Sequence, residues 1–225
     1  MNEYSRIKEI AERLLEKIPN HVMLLAAAKT RSIEEVEAAF AGGIRYFGHN
    51  YVQEAQAMIS GVNFKAGWHM IGHLQRNKVR QALDLFDMIE SLDSIKLALE
   101  LEKRCAQQEK TIDVLIEVNS GKEEEKTGLL PHAVEELAQQ VSKLKQVQLA
   151  GLMTMGPFTG DPELARPYFA QTRALFERLN EMQLPNVEMR VLSMGMSNSY
   201  QVAIEEGANL VRIGTLLFGP REVCL

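Results

Sequence analysis

The sequence contains few cysteines, no long apolar run and no excess of basic residues. Its two cysteines, Cys105 and Cys224, exclude a disulfide-stabilised scaffold and fit a reducing compartment. No apolar run approaches the roughly 18 residues of a membrane-spanning helix, and the N-terminal residues alternate charged with apolar side chains, unlike a signal peptide. Lys and Arg number 25 against 30 Asp and Glu, so the basic surface of a general nucleic-acid binder is missing. We therefore expect a cytoplasmic protein with no membrane and no nucleic acid among its partners.

What the sequence has instead is a regular alternation of apolar runs with amphipathic segments. A first amphipathic helix, with apolar residues three or four apart between Tyr4 and Ile18, precedes the alternation. Ser32 followed by Glu35 forms a capping box, which predicts the start of a second helix. Eight apolar runs predict strands, at residues 21–28, 44–50, 68–74, 88–92, 113–119, 148–155, 188–194 and 210–218. A helix is predicted after every strand except the last.

The composition of these strands predicts how they are arranged. Several are runs of Val, Ile, Leu and Met rather than strict alternations, which is typical of strands buried on both faces of a parallel sheet. Eight such strands with intervening helices in 225 residues fit a single (β/α)8 TIM barrel domain over residues 1–225. A doubly wound open sheet is the alternative, because alternation alone does not show that the sheet closes.

A barrel places its binding groups at the carboxyl ends of its strands, and Lys29 stands at the first of these ends. It directly follows a run of apolar residues, so we expect its ammonium group to be partly desolvated, which lowers the pKa of a lysine. A neutral amine attacks an aldehyde to form an imine. The alternative interpretation is an ordinary lysine that extends from a strand end into water.

The ends of the seventh and eighth predicted strands carry the features of an anion site. After the seventh strand the chain turns on Gly195, and Ser197 or Asn198 is in position to cap the following helix. Backbone N–H groups at the start of a helix attract phosphate. Gly214 allows close approach of the backbone at the neighbouring strand, and Thr215 offers an N–H and a hydroxyl. The two segments together predict one phosphate-binding site; the alternative is capping and a tight turn without a ligand.

An aldehyde-reactive lysine opposite a phosphate site predicts a phosphorylated aldehyde as the ligand. Pyridoxal 5′-phosphate (PLP) carries an aldehyde and a phosphate on the same ring. A sugar-phosphate aldolase that works through a Schiff base would use the same two groups, so the chemistry of these residues leaves both ligands open.

Several long motifs resemble one known family over nearly the whole chain. They stand at residues 26–30, 47–54, 68–78, 118–119 with 125–128, 151–155, 192–197 and 211–215. The chain resembles the PLP homeostasis proteins, which look like the barrel domain of alanine racemase standing alone. This resemblance implies a TIM barrel like the N-terminal domain of alanine racemase, with an extra N-terminal helix and PLP as its cofactor.

The resemblance also implies a role for individual residues. Lys29 matches the lysine that forms the Schiff base with PLP, and Arg212 matches the arginine that faces the pyridine nitrogen. The residues matched to the phosphate side are Ser197, Gly214 and Thr215, with Ser193 and Met196 nearby. Those matched to the ring side are Asn50 and His73.

The function implied by the resemblance is the buffering or delivery of PLP without catalytic turnover. A carboxylate at the ring nitrogen keeps that nitrogen protonated, which makes the ring a strong electron sink. A guanidinium is permanently charged and cannot do so, because it accepts no proton. The ring nitrogen is then unprotonated and the ring is a weaker electron sink. Amino-acid racemase or Schiff-base lyase activity is the alternative. Racemases of this fold use a tyrosine from an added domain, and we expect residues 218–225 to leave no room for one. We expect a monomer whose partners are PLP and PLP-dependent apo-enzymes.

Three further residues needed an interpretation. His49 stands where the family usually has glutamate, so a carboxylate is replaced by a group that ordinarily titrates near neutral pH. No metal-binding spacing such as HExxH includes His49, His69 or His73, so no metal site is predicted. His69 is interpreted as a hydrogen-bonded residue of the barrel.

Overall fold

The computed structural model describes residues 2–123, 125–156 and 160–220 of the chain. Within these ranges, eight parallel strands alternate with helices and close into one barrel. The strands are β1 (Met23–Ala27), β2 (Tyr46–His49), β3 (Gly67–Met70), β4 (Met88–Leu92), β5 (Ile112–Glu117), β6 (Val147–Thr154), β7 (Val187–Met194) and β8 (Leu210–Ile213). The helices are α1 (Glu3–Lys17), α2 (Ile33–Ala41), α3 (Val52–Gly61), α4 (Val79–Leu85), α5 (Ile95–Gln107), α6 (Val134–Val141), α7 (Arg166–Glu181), α8 (Tyr200–Glu205) and α9 (Thr215–Phe218).

The first strand closes the barrel because it pairs on both sides. Leu25 of β1 is in register with Tyr46 of β2 and with Arg212 of β8, and both pairings are parallel. The prediction of a (β/α)8 barrel is confirmed, and the alternative of an open sheet is wrong. Because all strands run in one direction, all their carboxyl ends lie at the same mouth of the barrel.

Local sequence signals account for the starts of several helices. The predicted capping box is present at α2: the hydroxyl of Ser32 accepts from the N–H of Glu35 at 3.1 Å, and the Glu35 carboxylate accepts from the N–H of Ser32 at 2.7 Å. In α1, Ile7, Ala11 and Leu14 form the buried face. This amphipathic spacing packs α1 against α2.

The structure differs from the prediction after β7 and β8. Strand β8 ends at Ile213, and the predicted continuation to residue 218 forms the short helix α9 instead. The apolar run of this helix was mistaken for strand because four residues are too few to show a helical period. Helix α8 begins at Tyr200 behind Ser199, so neither Ser197 nor Asn198 caps it as predicted.

The core has two parts, one on each face of the sheet. The larger part lies between the strands and the helices, where Phe47, Phe169 and Phe218 are among its largest buried side chains. A second, smaller apolar cluster belongs to the barrel interior and consists of Met88, Leu115, Ala150 and Met153. In the described part of the chain, no helix is both long and apolar enough to span a bilayer.

Candidate functional site

A cavity of about 620 Å³ lies at the carboxyl ends of the strands. Its walls come mainly from the segments that follow β1, β7 and β8. The residues that line it are Ala27, Lys29, Asn50, Ile71, Met155, Met196, Ser197, Asn198, Arg212, Gly214, Thr215 and Leu216. The structure therefore brings the predicted lysine, the predicted arginine and both predicted anion-binding segments into one cavity.

Lys29 enters the cavity from a constrained turn just after β1. It is half-buried, and the next residue, Thr30, has a φ of +62°. This left-handed conformation is unfavourable for a β-branched residue, so it is held by the surrounding structure. The Thr30 hydroxyl donates a hydrogen bond to the carbonyl oxygen of Lys29 at 2.6 Å. The turn thereby fixes the backbone from which the lysine side chain extends.

Two backbone N–H groups of the β8–α9 segment converge on a single oxygen atom. The hydroxyl oxygen of Ser197 accepts from the N–H of Gly214 at 3.2 Å and from the N–H of Leu216 at 3.1 Å. Donors that meet at one oxygen-sized position can also hold an oxygen of an anion. Ser197 therefore belongs to this site through its contact with β8–α9, and not as the cap of α8.

Gly195 allows the β7 segment to reach this position. Its φ is +87°, and a Cβ atom there would lie 2.6 Å from Cβ of Ala203 and 2.9 Å from Cα of Tyr200. Any larger residue would collide with α8 and displace the turn that carries Ser197.

Arg212 is buried, with 4% of its surface exposed, yet it lines the cavity. One Nη atom donates to the carbonyl oxygen of Thr154 at 2.8 Å, and the other donates to the hydroxyl of Ser193. Burial lowers the pKa of Arg212 from its ordinary value, against the opposing effect of the Glu90 and Glu117 carboxylates. Arginine keeps its proton throughout the accessible pH range, so the guanidinium stays charged.

Ser193 and Glu90 lie beneath Arg212 in the barrel interior. The Ser193 hydroxyl donates to Oε2 of Glu90 at 2.6 Å, and Oε1 of Glu90 accepts from Nδ1 of His69 at 2.7 Å. Burial raises the pKa of Glu90, but His69, Arg212 and Ser193 together lower it below its usual range, so the group is ionised. The interpretation of His69 as a hydrogen-bonded barrel residue is confirmed.

Ser193, which was expected near the phosphate side, contacts Arg212 and Glu90 instead of the cavity. It is fully buried and does not line the cavity, because it belongs to the inner face of β7 and its hydroxyl bonds to Arg212 and Glu90. Glu90 was missed by the sequence analysis. The available signal was a lone carboxylate within the apolar strand Met88–Leu92.

The two residues expected on the ring side are separated. Asn50 lines the cavity, whereas His73 does not. The His73 side chain is half exposed, and its Nδ1 lies 2.9 Å from Oδ2 of Asp93. The backbone accounts for this separation: Gly72 packs so tightly against Asn50 that a Cβ atom on the glycine would lie 2.5 Å from the asparagine carbonyl oxygen. The chain has left β3, which ends at Met70, by this point.

Another buried carboxyl group, Glu117, lies at the end of β5. Burial raises the pKa of Glu117, and the hydroxyl of Thr127 donates to Oε1 at 2.9 Å. Glu117 does not line the cavity. Among the residues that the structure describes, no group of three His, Cys, Asp or Glu side chains is placed to hold a metal ion.

Comparison with known sequences gives consistent matches along the chain. Residues 4–222 match the family described as alanine racemase, N-terminal domain. The chain is 40% identical to the pyridoxal phosphate homeostasis protein of Aquifex aeolicus, and the match covers 99% of this chain and 100% of that protein. It is 37% identical to the protein of the same name from Vibrio cholerae, with 95% of this chain and 92% of that protein covered.

Comparison with solved structures gives the same architecture. PipY of Synechococcus elongatus, in a structure with PLP bound, is 34% identical with a TM-score of 0.87, covering 95% of this chain and 100% of that one. Alanine racemase of Clostridium difficile is 14% identical with a TM-score of 0.79, covering 97% of this chain and 57% of that one. At this low identity the racemase comparison shows a shared fold and nothing about activity.

Proposed function

This chain belongs to the family of pyridoxal phosphate homeostasis proteins, and from that premise we propose that it binds PLP and buffers or delivers it without catalytic turnover. The observation that carries the proposal is the meeting of Lys29, Arg212 and the converging N–H groups of Gly214 and Leu216 around one cavity. A cavity of about 620 Å³ is within the size range of cofactor sites.

The residues present fit the chemical groups of PLP. PLP supplies an aldehyde, which condenses with a neutral lysine amine, and a phosphate, which N–H and O–H donors bind. Lys29 is the amine in the cavity. A phosphate oxygen that took the place of the Ser197 hydroxyl would accept from the N–H groups of Gly214 and Leu216, which converge on that position. Arg212 supplies the positive group that we assign to the ring nitrogen.

The same residues argue against turnover. Of the described residues that line the cavity, only Lys29 and Arg212 have ionisable side chains. Racemisation needs one group that removes a proton and another that returns it from the opposite face. Arg212 does not exchange protons in the accessible pH range, so it supplies neither function. This composition supports a carrier and disfavours the alternative racemase or lyase.

Chemical trapping tests the assignment of the lysine. We expect added PLP to give a visible absorption band, and borohydride reduction followed by peptide mass spectrometry to find the cofactor on Lys29. Lys29→Ala should lose both signals while its circular dichroism is unchanged. Lys65→Ala is the matched control, because Lys65 is exposed and does not line the cavity. Labelling of another lysine, or no labelling, would contradict the proposal.

Transfer and turnover assays separate the carrier from the enzyme. The loaded protein should pass PLP to a PLP-dependent apo-enzyme, and transfer faster than from free PLP supports delivery, whereas retention supports buffering. Single enantiomers of alanine and other amino acids should remain unchanged during incubation. Conversion at typical enzyme rates of about 1 s⁻¹ or more would reject the carrier function.

A further inference from the structure

A continuous row of hydrogen-bonded side chains crosses the barrel interior and ends at the cavity. Arg212 donates to the hydroxyl of Ser193, which in turn donates to Oε2 of Glu90. The other oxygen of Glu90 accepts from His69. The row joins β8, β7, β4 and β3, and only its last member, Arg212, lines the cavity.

Stability alone does not account for this row. Charged groups lose their hydration when they are buried, so replacing a buried ion pair by apolar side chains of similar volume is often neutral or stabilising. The same barrel interior holds an apolar cluster of side chains from the neighbouring strands β4, β5 and β6. Apolar side chains could therefore fill this part of the interior, but a carboxylate lies next to the arginine of the cavity instead.

The charges around Arg212 come from three directions. An oxygen of Glu90 on β4 lies 3.9 Å from Nη1 of Arg212, and Glu90 has no exposed surface. Glu117 on β5 also interacts with the guanidinium, and Lys29 lines the same cavity. Glu90 is the nearer of the two carboxylates, and the hydroxyl of Ser193 bridges Glu90 and Arg212.

We propose that Glu90, acting through Ser193, is a positioning residue that sets the direction of the Arg212 guanidinium and balances its charge at the cofactor ring. The inference deepens the proposed function and rests on it, because it concerns the bound PLP. His69 completes the arrangement, because its Nδ1 donates a hydrogen bond to the other carboxylate oxygen of Glu90.

The absorption of bound PLP reports on this charge balance. Glu90→Gln removes one negative charge and keeps the size of the side chain. Each protonated group in the cavity is then less stable, so the pH midpoint of the visible absorption change should fall by about one unit for a charge several ångströms away. A merely structural role would lower the unfolding temperature and leave this midpoint unmoved.

Two further variants separate charge from geometry. Glu90→Asp retains the charge, so its midpoint should return to that of the unmodified protein. Ser193→Ala retains both charges and removes the bridge, so its midpoint should be unchanged while the Kd for PLP rises about fivefold, which corresponds to the loss of about one hydrogen bond. Circular dichroism of each protein without PLP checks the fold.

The outcomes separate this inference from the proposed function. If the unmodified protein does not bind PLP, the proposed function fails. If it binds PLP and folded Glu90→Gln has the same midpoint and Kd, the positioning role is wrong. Should Glu90→Gln not fold, Ser193→Ala decides the question. An unchanged Kd for PLP overturns the inference, and a higher Kd with an unchanged pH midpoint of the absorption supports it.

Discussion

Two buried histidines on adjacent strands have opposite surroundings. His69 on β3 is 4% exposed and its Nδ1 donates to Glu90, whereas His49 on β2 is 1% exposed and neither ring nitrogen has a hydrogen-bond partner among the described residues. The strand register explains the difference. His69 is level with Gly48, so His49, the next residue, projects from the other face of the same sheet.

The comparison shows that the hydrogen-bond partner, and not burial alone, decides whether a buried histidine stabilises the fold. The side chains of His69 on β3 and of Glu90 on the neighbouring strand β4 both lie in the barrel interior, so His69 meets a carboxylate. The outer face is covered by aromatic side chains, and the ring of His49 lies 5.8 Å from that of Trp68. Burial without a partner lowers the pKa of His49 to about 4, so it is neutral at pH 7.

The largest effect is expected at the partnered histidine. His69→Leu leaves one oxygen of an ionised, fully buried Glu90 without a donor, so we expect the free energy of unfolding to fall by about 3 kcal/mol. Urea unfolding followed by circular dichroism measures this change. His69→Asn is the control, because its amide can still donate and should recover part of the loss. A loss below about 0.5 kcal/mol for His69→Leu would show that the hydrogen bond does not stabilise the fold.

A smaller effect is expected from the pH dependence at His49. Its pKa is about 4 in the folded protein and 6.5 when exposed in the unfolded chain, so between these values the unfolded state binds more protons. Stability is therefore complete above pH 6.5 and is lost as the pH falls towards 4. We expect His49 to account for about 2 kcal/mol of the loss between pH 7.5 and pH 5.

The matched measurement compares the unmodified protein with His49→Leu at both pH values. Carboxylates contribute equally to both proteins, so the difference between their pH dependences isolates the imidazole. Identical pH dependences would mean that His49 is accessible to water or has a partner in solution.

The elements that the sequence could predict are those with a local signal. Apolar runs located all eight strands, because a strand buried on both faces needs apolar residues throughout. The capping box located α2 because it is a contact between near neighbours. Helix α9 was missed because its residues Thr215–Phe218 give no periodic signal.

The site was predictable only where it depends on strand ends. Lys29, Ser197 and Gly214 lie just past the carboxyl ends of their strands, and the topology of a parallel barrel brings such ends together. Ser193 and Glu90 meet across the barrel, 103 residues apart in sequence, and no local pattern specifies which inner side chains face each other. The partner of His69 was unpredictable for the same reason.

The smallest effect is expected for His49→Leu at pH 7.5, and it should have the opposite sign to that of His69→Leu. An unpartnered buried imidazole loses its hydrogen bonds to water, at a cost of about 1–3 kcal/mol, and leucine fills a similar volume without this cost. The loss of the ring contact with Trp68 offsets about 1 kcal/mol of the gain. We therefore expect the free energy of unfolding to rise by about 1 kcal/mol in urea at pH 7.5. A decrease instead would show that His49 is hydrogen-bonded in solution, and the contrast between the two strand faces would then be lost.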